Sequence, residues 1–174
     1  RGAQILIASN GPSLAFRNLN FTGGEGNEGG AVVYSSSAAF ETNGLLSFER
    51  CTFYGNRATT RGGVLSLAQA NVRMTSCTLS ANFCSSGASV IYQQHSGTFG
   101  TSAWGRIHLT HCTITGNHTS STSAGASSKA LDIPRAKILM QHCLVAGNTN
   151  AGSLPPDIAL GSDITAPPAV DHCL

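Results

Sequence analysis

Three histidine–cysteine pairs, His111-Cys112, His142-Cys143 and His172-Cys173, are the residues of this chain best suited to metal chemistry. Imidazole nitrogen and thiolate sulfur are ligands for zinc and other transition ions. Such pairs meet only if the chain returns on itself with a period near 30 residues. The same two positions are also filled by Arg50-Cys51 and Ser76-Cys77. A site that accepts arginine and serine does not demand a ligand. The expected arrangement is therefore a stacked, solvated row of turn residues, with the adjoining cysteines turned inward and no metal or cofactor bound. Carboxylate chemistry is the other possibility. Hydrolysis of a glycoside needs paired acids, and cation-assisted elimination needs acids clustered around an ion. The acids are Glu25, Glu28, Glu41, Glu49, Asp132, Asp157, Asp163 and Asp171, and no two fall at equivalent places in the repeat described next; only Glu25 and Glu28 come close, within one stretch. No nucleophile motif or phosphate-binding loop is present. A catalytic set is not expected.

The elements that must position these residues are written by repetition. Cys51-Thr52-Phe53-Tyr54-Gly55-Asn56 returns as Cys77 to Asn82, Cys112 to Asn117 and Cys143 to Asn148, with a degenerate copy at Leu19 to Gly24 and the start of another at Cys173-Leu174. The cysteine position thus recurs in steps of 32, 26, 35, 31 and 30 residues. Uneven steps about a mean near 30 are the mark of a solenoid with loop insertions. Each copy follows a second alternating unit: Leu14-x-Phe16, Leu46-x-Phe48, Val72-x-Met74, Ile107-x-Leu109 and Ile138-x-Met140. Period-two alternation over such short runs specifies strands with one apolar face. A third apolar run appears at 29–34, 62–67 and 88–92. Three short strands per turn predict an all-β, right-handed parallel β-helix of about five coils, forming a single unit over residues 1–174. No window carries the 3.6-residue stripe of a helical repeat.

Stacking at ~4.8 Å fixes what the ladders do. Cys51, Cys77, Cys112, Cys143 and Cys173 share an inward position with Leu19. At that spacing they are expected to be free thiols acting as small apolar residues, since a disulfide needs Cβ atoms about 3.8 Å apart. Cys84 falls off the ladder and is expected in a loop. Asn56, Asn82, Asn117 and Asn148 are expected to form a corner ladder, accepting left-handed geometry and hydrogen-bonding to their copies. Asn20-Phe21-Thr22 and Asn117-His118-Thr119 match the N-glycosylation acceptor pattern. Asn20 is expected to face outward, whereas a glycan on Asn117 competes with stacking. Residues 23–29 read as a mildly acidic turn, and residues 118–128 and 152–168 as inserted loops. The insertion at 93–105 holds His95, Phe99 and the only tryptophan, Trp104, a candidate glycan-contact loop. Against that stands the ordinary tendency of such bulk to fold over the flank.

Composition narrows the setting. A formal net charge of +2, without Lys/Arg runs, gives no footprint for nucleic acid. No apolar stretch approaches the ~20 residues of a membrane-spanning helix. Low charge and abundant Ser/Thr suit an extracellular surface. Gly29-Gly30-Ala31-Val32 together with Phe53-Tyr54-Gly55-Asn56 resembles the GGA[ILV] and FxxN repeats of chlamydial polymorphic membrane proteins. Cys51 to Asn56, Cys143 to Asn148 and Pro156-Asp157-Ile158 are similar to segments of secreted bacterial β-helix repeat proteins. The resemblance implies a surface-exposed passenger, stalk or adhesin-like module that contacts glycans or host cell-surface proteins. The competing expectation is a carbohydrate-active enzyme, a polysaccharide lyase or glycoside hydrolase. Repeats cut at Ile5 to Ala8 and at Val170 to Leu174 further suggest that the ends are covered by more coils of the same protein or by head-to-tail copies.

Overall fold

The computed structural model describes residues 4–8, 13–35, 45–68, 70–94, 105–121, 129–133, 137–151, 158–160 and 169–171. The described regular elements are all strands, and every pairing between them is parallel. The chain is a parallel β-helix. Its first sheet comprises Ile5–Ala8, Val32–Ser35, Leu65–Ala68, Ile91–Gln94, Leu131–Ile133 and Ile158–Leu160. The second comprises Leu14–Arg17, Leu45–Glu49, Asn71–Thr75, Arg106–Thr110, Lys137–Gln141 and Ala169–Asp171. The third holds Asn20–Thr22, Thr52–Tyr54, Thr78–Ser80, Thr113–Thr115 and Leu144–Ala146.

A fourth sheet, of Glu25–Glu28, Arg57–Arg61, Phe83–Cys84, His118–Thr119 and Thr149–Asn150, departs from the three-strand expectation. Residues 25–28 are therefore strand rather than turn, and the segment beginning at residue 118 opens as strand. The inward position of this sheet is held in register by Gly26, Ala58, Cys84, Thr119 and Asn150. These small or polar residues give no apolar alternation, so the sheet has no hydrophobic signature. Cys84 is accordingly not a loop residue: it is a fully buried inward rung.

The core contains the three anticipated ladders, together with a fourth from the first sheet in which Val32, Leu65, Ile91 and Leu131 stack in register. Leu14, Leu46, Val72, Ile107 and Ile138 stack in register, as do Phe16, Phe48, Met74, Leu109 and Met140. In the third sheet Phe21, Phe53, Leu79, Ile114 and Val145 do the same. Phe48 and Phe53 are fully buried, each worth roughly 2–3 kcal/mol of apolar burial. Phe16 stacks on Phe48 at 5.3 Å and Phe21 on Phe53 at 4.7 Å, while the two stacks meet edge to face, with Phe48 and Phe53 centroids 5.1 Å apart. Both arrangements are favourable for ring quadrupoles. Leu19, placed by sequence among the inward cysteines, is instead 45% exposed.

Two corners bend the coil with left-handed backbone. Between second and third sheets the residue before each ladder position turns: Asn18, Arg50, Ser76, His111 and His142 all have φ between 52° and 55°. Between third and fourth sheets the turn falls on Gly23, Gly55, Ala81, Gly116 and Gly147. The left-handed residue thus precedes the asparagine; the asparagine itself was expected to adopt that geometry. Its side chain does the linking. Asn56 Oδ1 accepts the Gly24 N–H at 2.9 Å, and Asn82 Oδ1 accepts both the Asn56 N–H and the Asn56 amide. Asn117 and Asn148 repeat the pattern one coil on each time. Each amide also donates to a carbonyl one coil back, as Asn82 does to Phe53 and Asn117 to Leu79.

Asn117→Ala removes an acceptor from the Asn82 N–H and amide, and leaves the Leu79 carbonyl and Asn148 Oδ1 short of a donor. Unsatisfied buried polar groups cost ~1–3 kcal/mol each. The substitution is expected to lower unfolding free energy by about 2–4 kcal/mol in urea titration, while Asn20→Ala, at an exposed position, changes it by under ~0.5 kcal/mol.

Candidate functional site

The cysteine ladder points inward, away from solvent. Cys51, Cys77, Cys84, Cys112 and Cys143 are free thiols and all are buried. Each ladder thiol is directed to two carbonyls: Cys51 to those of Phe16 and Glu49, Cys77 to Phe48 and Thr75, Cys112 to Met74 and Thr110, and Cys143 to Leu109 and Gln141. Burial pushes the Cys51 and Cys84 thiols above their ordinary pKa. Contact with Cys143 and then Cys77 does the same to Cys112. Cys77 goes the other way, its thiol held down at about 7 by the hydrogen bond with Cys112, although it too is buried. The raised thiols are poor nucleophiles and poor ligands. Cys173 lies outside the described residues.

The histidine row adopts the expected place but not a chelating geometry. His111 and His142 are exposed, and their rings stack face to face at 4.9 Å with an interplanar angle of 9°. Ring nitrogen lone pairs lie in the ring plane, so parallel stacked rings aim them side by side rather than at one ion. No group of three His, Cys, Asp or Glu side chains suited to a metal occurs among the described residues. His172 lies outside those residues, as do His95, Phe99 and Trp104 of the candidate glycan-contact loop.

The two sequons separate cleanly. Asn20 is exposed on the third sheet. Asn117 is fully buried, and its amide nitrogen already donates to Leu79, Thr115 and Asn148, so no glycan fits there.

The outward rows carry the remaining polar chemistry. On the second sheet Arg17 pairs with Glu49 at 3.1 Å and Arg50 with Glu49 at 3.2 Å. Exposed pairs of this kind contribute about 0–1 kcal/mol. They edge a shallow cleft of ≈ 290 Å³ whose lining includes Phe16, Ser47, Arg73 and Thr75. Further along, His108 Nε2 lies 3.4 Å from Gln141 Oε1 and 3.3 Å from Thr110 Oγ1. On the fourth sheet Arg57 sits over the Phe83 ring at 4.7 Å, Phe83 stacks on His118 at 5.7 Å, and His118 Nδ1 meets Thr149 Oγ1 at 2.8 Å.

One outward row gathers ionisable groups that the reading of the sequence did not bring together. Val33, Ser66, Tyr92 and Asp132 stack in register on the first sheet. Ser66 Oγ donates to Glu28 Oε2 at 3.2 Å, Glu28 Oε1 lies 3.9 Å from Arg61, and the Arg61 guanidinium covers the Tyr92 ring at 5.0 Å. Asp132 is 3% exposed, and its Oδ1 has no hydrogen-bond partner. Burial raises its pKa to about 6, against the pull of Arg61 and Lys129. Burial likewise raises Tyr92. Glu28 and Asp132 occupy different sheets and different coils, which is why matching acids by repeat position missed them. The available signal was the flanking pattern, Leu65-Ser66-Leu67 and Leu131-Asp132-Ile133, which turns the middle residue outward.

With this geometry in place, the chain was compared with protein families, curated proteins and solved structures. None matches.

Two outcomes follow from these environments. In native protein the five described thiols should resist an aromatic disulfide reagent over hours, whereas denatured chain should titrate all six cysteines of the sequence at once; rapid native labelling of two or more described thiols contradicts the burial. For Asp132, a folded pKa above the unfolded value means the folded state holds the proton more tightly. The contribution of Asp132 to stability is therefore fully present below pH ~4 and is lost as pH rises through about 6. The loss is at most about 3 kcal/mol. Asp132→Asn should flatten that part of the stability–pH profile and exceed the parent in stability at pH 8.

Proposed function

We propose that this chain is a non-catalytic β-helix module of an extracellular or cell surface, acting as a stalk, adhesin or assembly element. The observation that carries the reading is the asparagine ladder. Asn56, Asn82, Asn117 and Asn148 bind one another coil to coil through buried amides, beside an equally continuous set of backbone ladders. The repeated asparagine side chains are consumed in holding successive coils in register. A rod so linked has the properties of a spacer: it keeps a fixed axial repeat and presents its outer rows at regular intervals. The repeats Gly29 to Val32 and Phe53 to Asn56 support placing the module with chlamydial polymorphic membrane protein-like passengers, which are surface proteins. Glycans and host or cell-surface proteins are then the partner classes.

The experiment is a turnover screen. Purified protein incubated with pectin, alginate, chondroitin and neutral glucans should release no reducing ends or unsaturated products above a no-protein control. Product release that disappears in Glu28→Gln or Asp132→Asn would overturn the reading in favour of a carbohydrate-active enzyme.

A further inference from the structure

The outer face of the third sheet differs from the others. Its two outward rows are Asn20, Thr52, Thr78, Thr113, Leu144 and Thr22, Tyr54, Ser80, Thr115, Ala146, each in strict parallel register. Neither row contains a charged residue. The neighbouring faces do: Arg17, Glu49 and Arg73 on the second sheet, Glu25 and Arg57 on the fourth. Two of the four exposed large apolar side chains of the described residues, Tyr54 at 56% and Leu144 at 41%, stand on this face, and a third, Leu19, sits at its border. Thr52, Thr78 and Thr113 make a straight run of hydroxyls spaced by the ~4.8 Å rise between strands, with Ser80 and Thr115 in a second run two residues away.

Each feature selects among partners. An uncharged face between charged ones gains nothing from an ionic polymer and disfavours nucleic acid or acidic glycan. Hydroxyl rows both donate and accept, which suits a ligand that is itself a row of hydroxyls. The exposed Tyr54 ring offers an apolar surface with a polar edge, able to cover the C–H face of a sugar. The axial periodicity of the rows suits a linear repeating chain laid along the solenoid better than a globular partner, which prefers a shaped, well-packed patch. We infer that the outer face of the third sheet, centred on Thr52, Tyr54, Thr78 and Thr113, binds a linear neutral polysaccharide lying along the solenoid axis.

This inference rests on the non-catalytic surface reading above, and the two can fail separately: turnover sinks that reading, and lack of retention sinks this one. The test uses the full chain in affinity electrophoresis through soluble mixed-linkage β-glucan and in pull-downs on cellulose and chitin, with alginate and heparin as charged comparators. Retention by at least one neutral polymer is expected, changing less than twofold between 50 and 500 mM NaCl as roughly expected for uncharged contacts. Tyr54→Ala and Thr78→Lys should each weaken it about tenfold or more, with circular dichroism unchanged, and Arg73→Ala should leave it intact. If Thr78→Lys fails to fold, Thr113→Lys takes its place. Four results overturn the inference: no retention on any neutral polymer, retention only on alginate or heparin and lost in salt, self-association abolished by Thr78→Lys without glycan binding, or crystal-face selection on ice in its place.

Discussion

In the described strands of this protein, side chains lie next to their equivalents in the neighbouring coils. A parallel ladder places residue on residue at a spacing of ~4.8 Å, so the chain admits at each rung only side chains that tolerate their copy above and below. Apolar residues do so by packing, asparagine by donating and accepting through one amide, threonine by its hydroxyl, and phenylalanine by offset stacking. Like charges do not. The constraint explains a composition with only 10% charged residues. It also explains where the charges sit: Arg17 lies against Glu49 in register, and Glu25 against Arg57. The rule has one exception among these strands: Arg106 stands in register with Lys137.

The same constraint made the architecture readable. Residues that recur at a fixed step and alternate in polarity announce both strand and facing direction, and all three apolar ladders could be assigned residue by residue. What was not legible obeys a different rule. The fourth sheet turns inward Gly26, Ala58, Cys84, Thr119 and Asn150, of which Ala58, Cys84 and Thr119 are buried; they are small or polar, so nothing in hydropathy marks them. The corners were legible as breaks in alternation but not in detail. Left-handed backbone falls on arginine, serine and histidine at one corner and on glycine or alanine at the other, and only the second composition signals such geometry.

The candidate chemistry was legible in inverse proportion to its interest. The repeated histidines and cysteines attract notice because they repeat, and repetition is what a structural ladder requires. Asp132 occurs once, and the arrangement of Glu28, Arg61, Ser66 and Tyr92 near it comes from two sheets and several coils. A group that breaks the local rule, here a buried carboxylate oxygen without a partner, is where a consistent fold departs from consistency. The repeat identifies the scaffold, and the departures from it identify where the scaffold carries something else.

The connections between sheets divide the molecule into a ruled and an unruled side. From second to third sheet, and from third to fourth, every crossing spans two residues, as between Glu49 and Thr52 or Tyr54 and Arg57. From first to second sheet the crossing varies: nine residues between Ser35 and Leu45, two between Ala68 and Asn71, eleven between Gln94 and Arg106. Length can change there without moving any rung. From fourth to first sheet the crossing varies as well: three residues between Glu28 and Val32, six between Cys84 and Ile91, eleven between Thr119 and Leu131. Along both edges of the first sheet the protein is therefore open to grafting: foreign peptides can be spliced in, or coils duplicated with cut points at those seams, while the two corners that flank the third sheet keep count. A lineage built on this plan would diversify on either side of the first sheet and stay fixed on either side of the third.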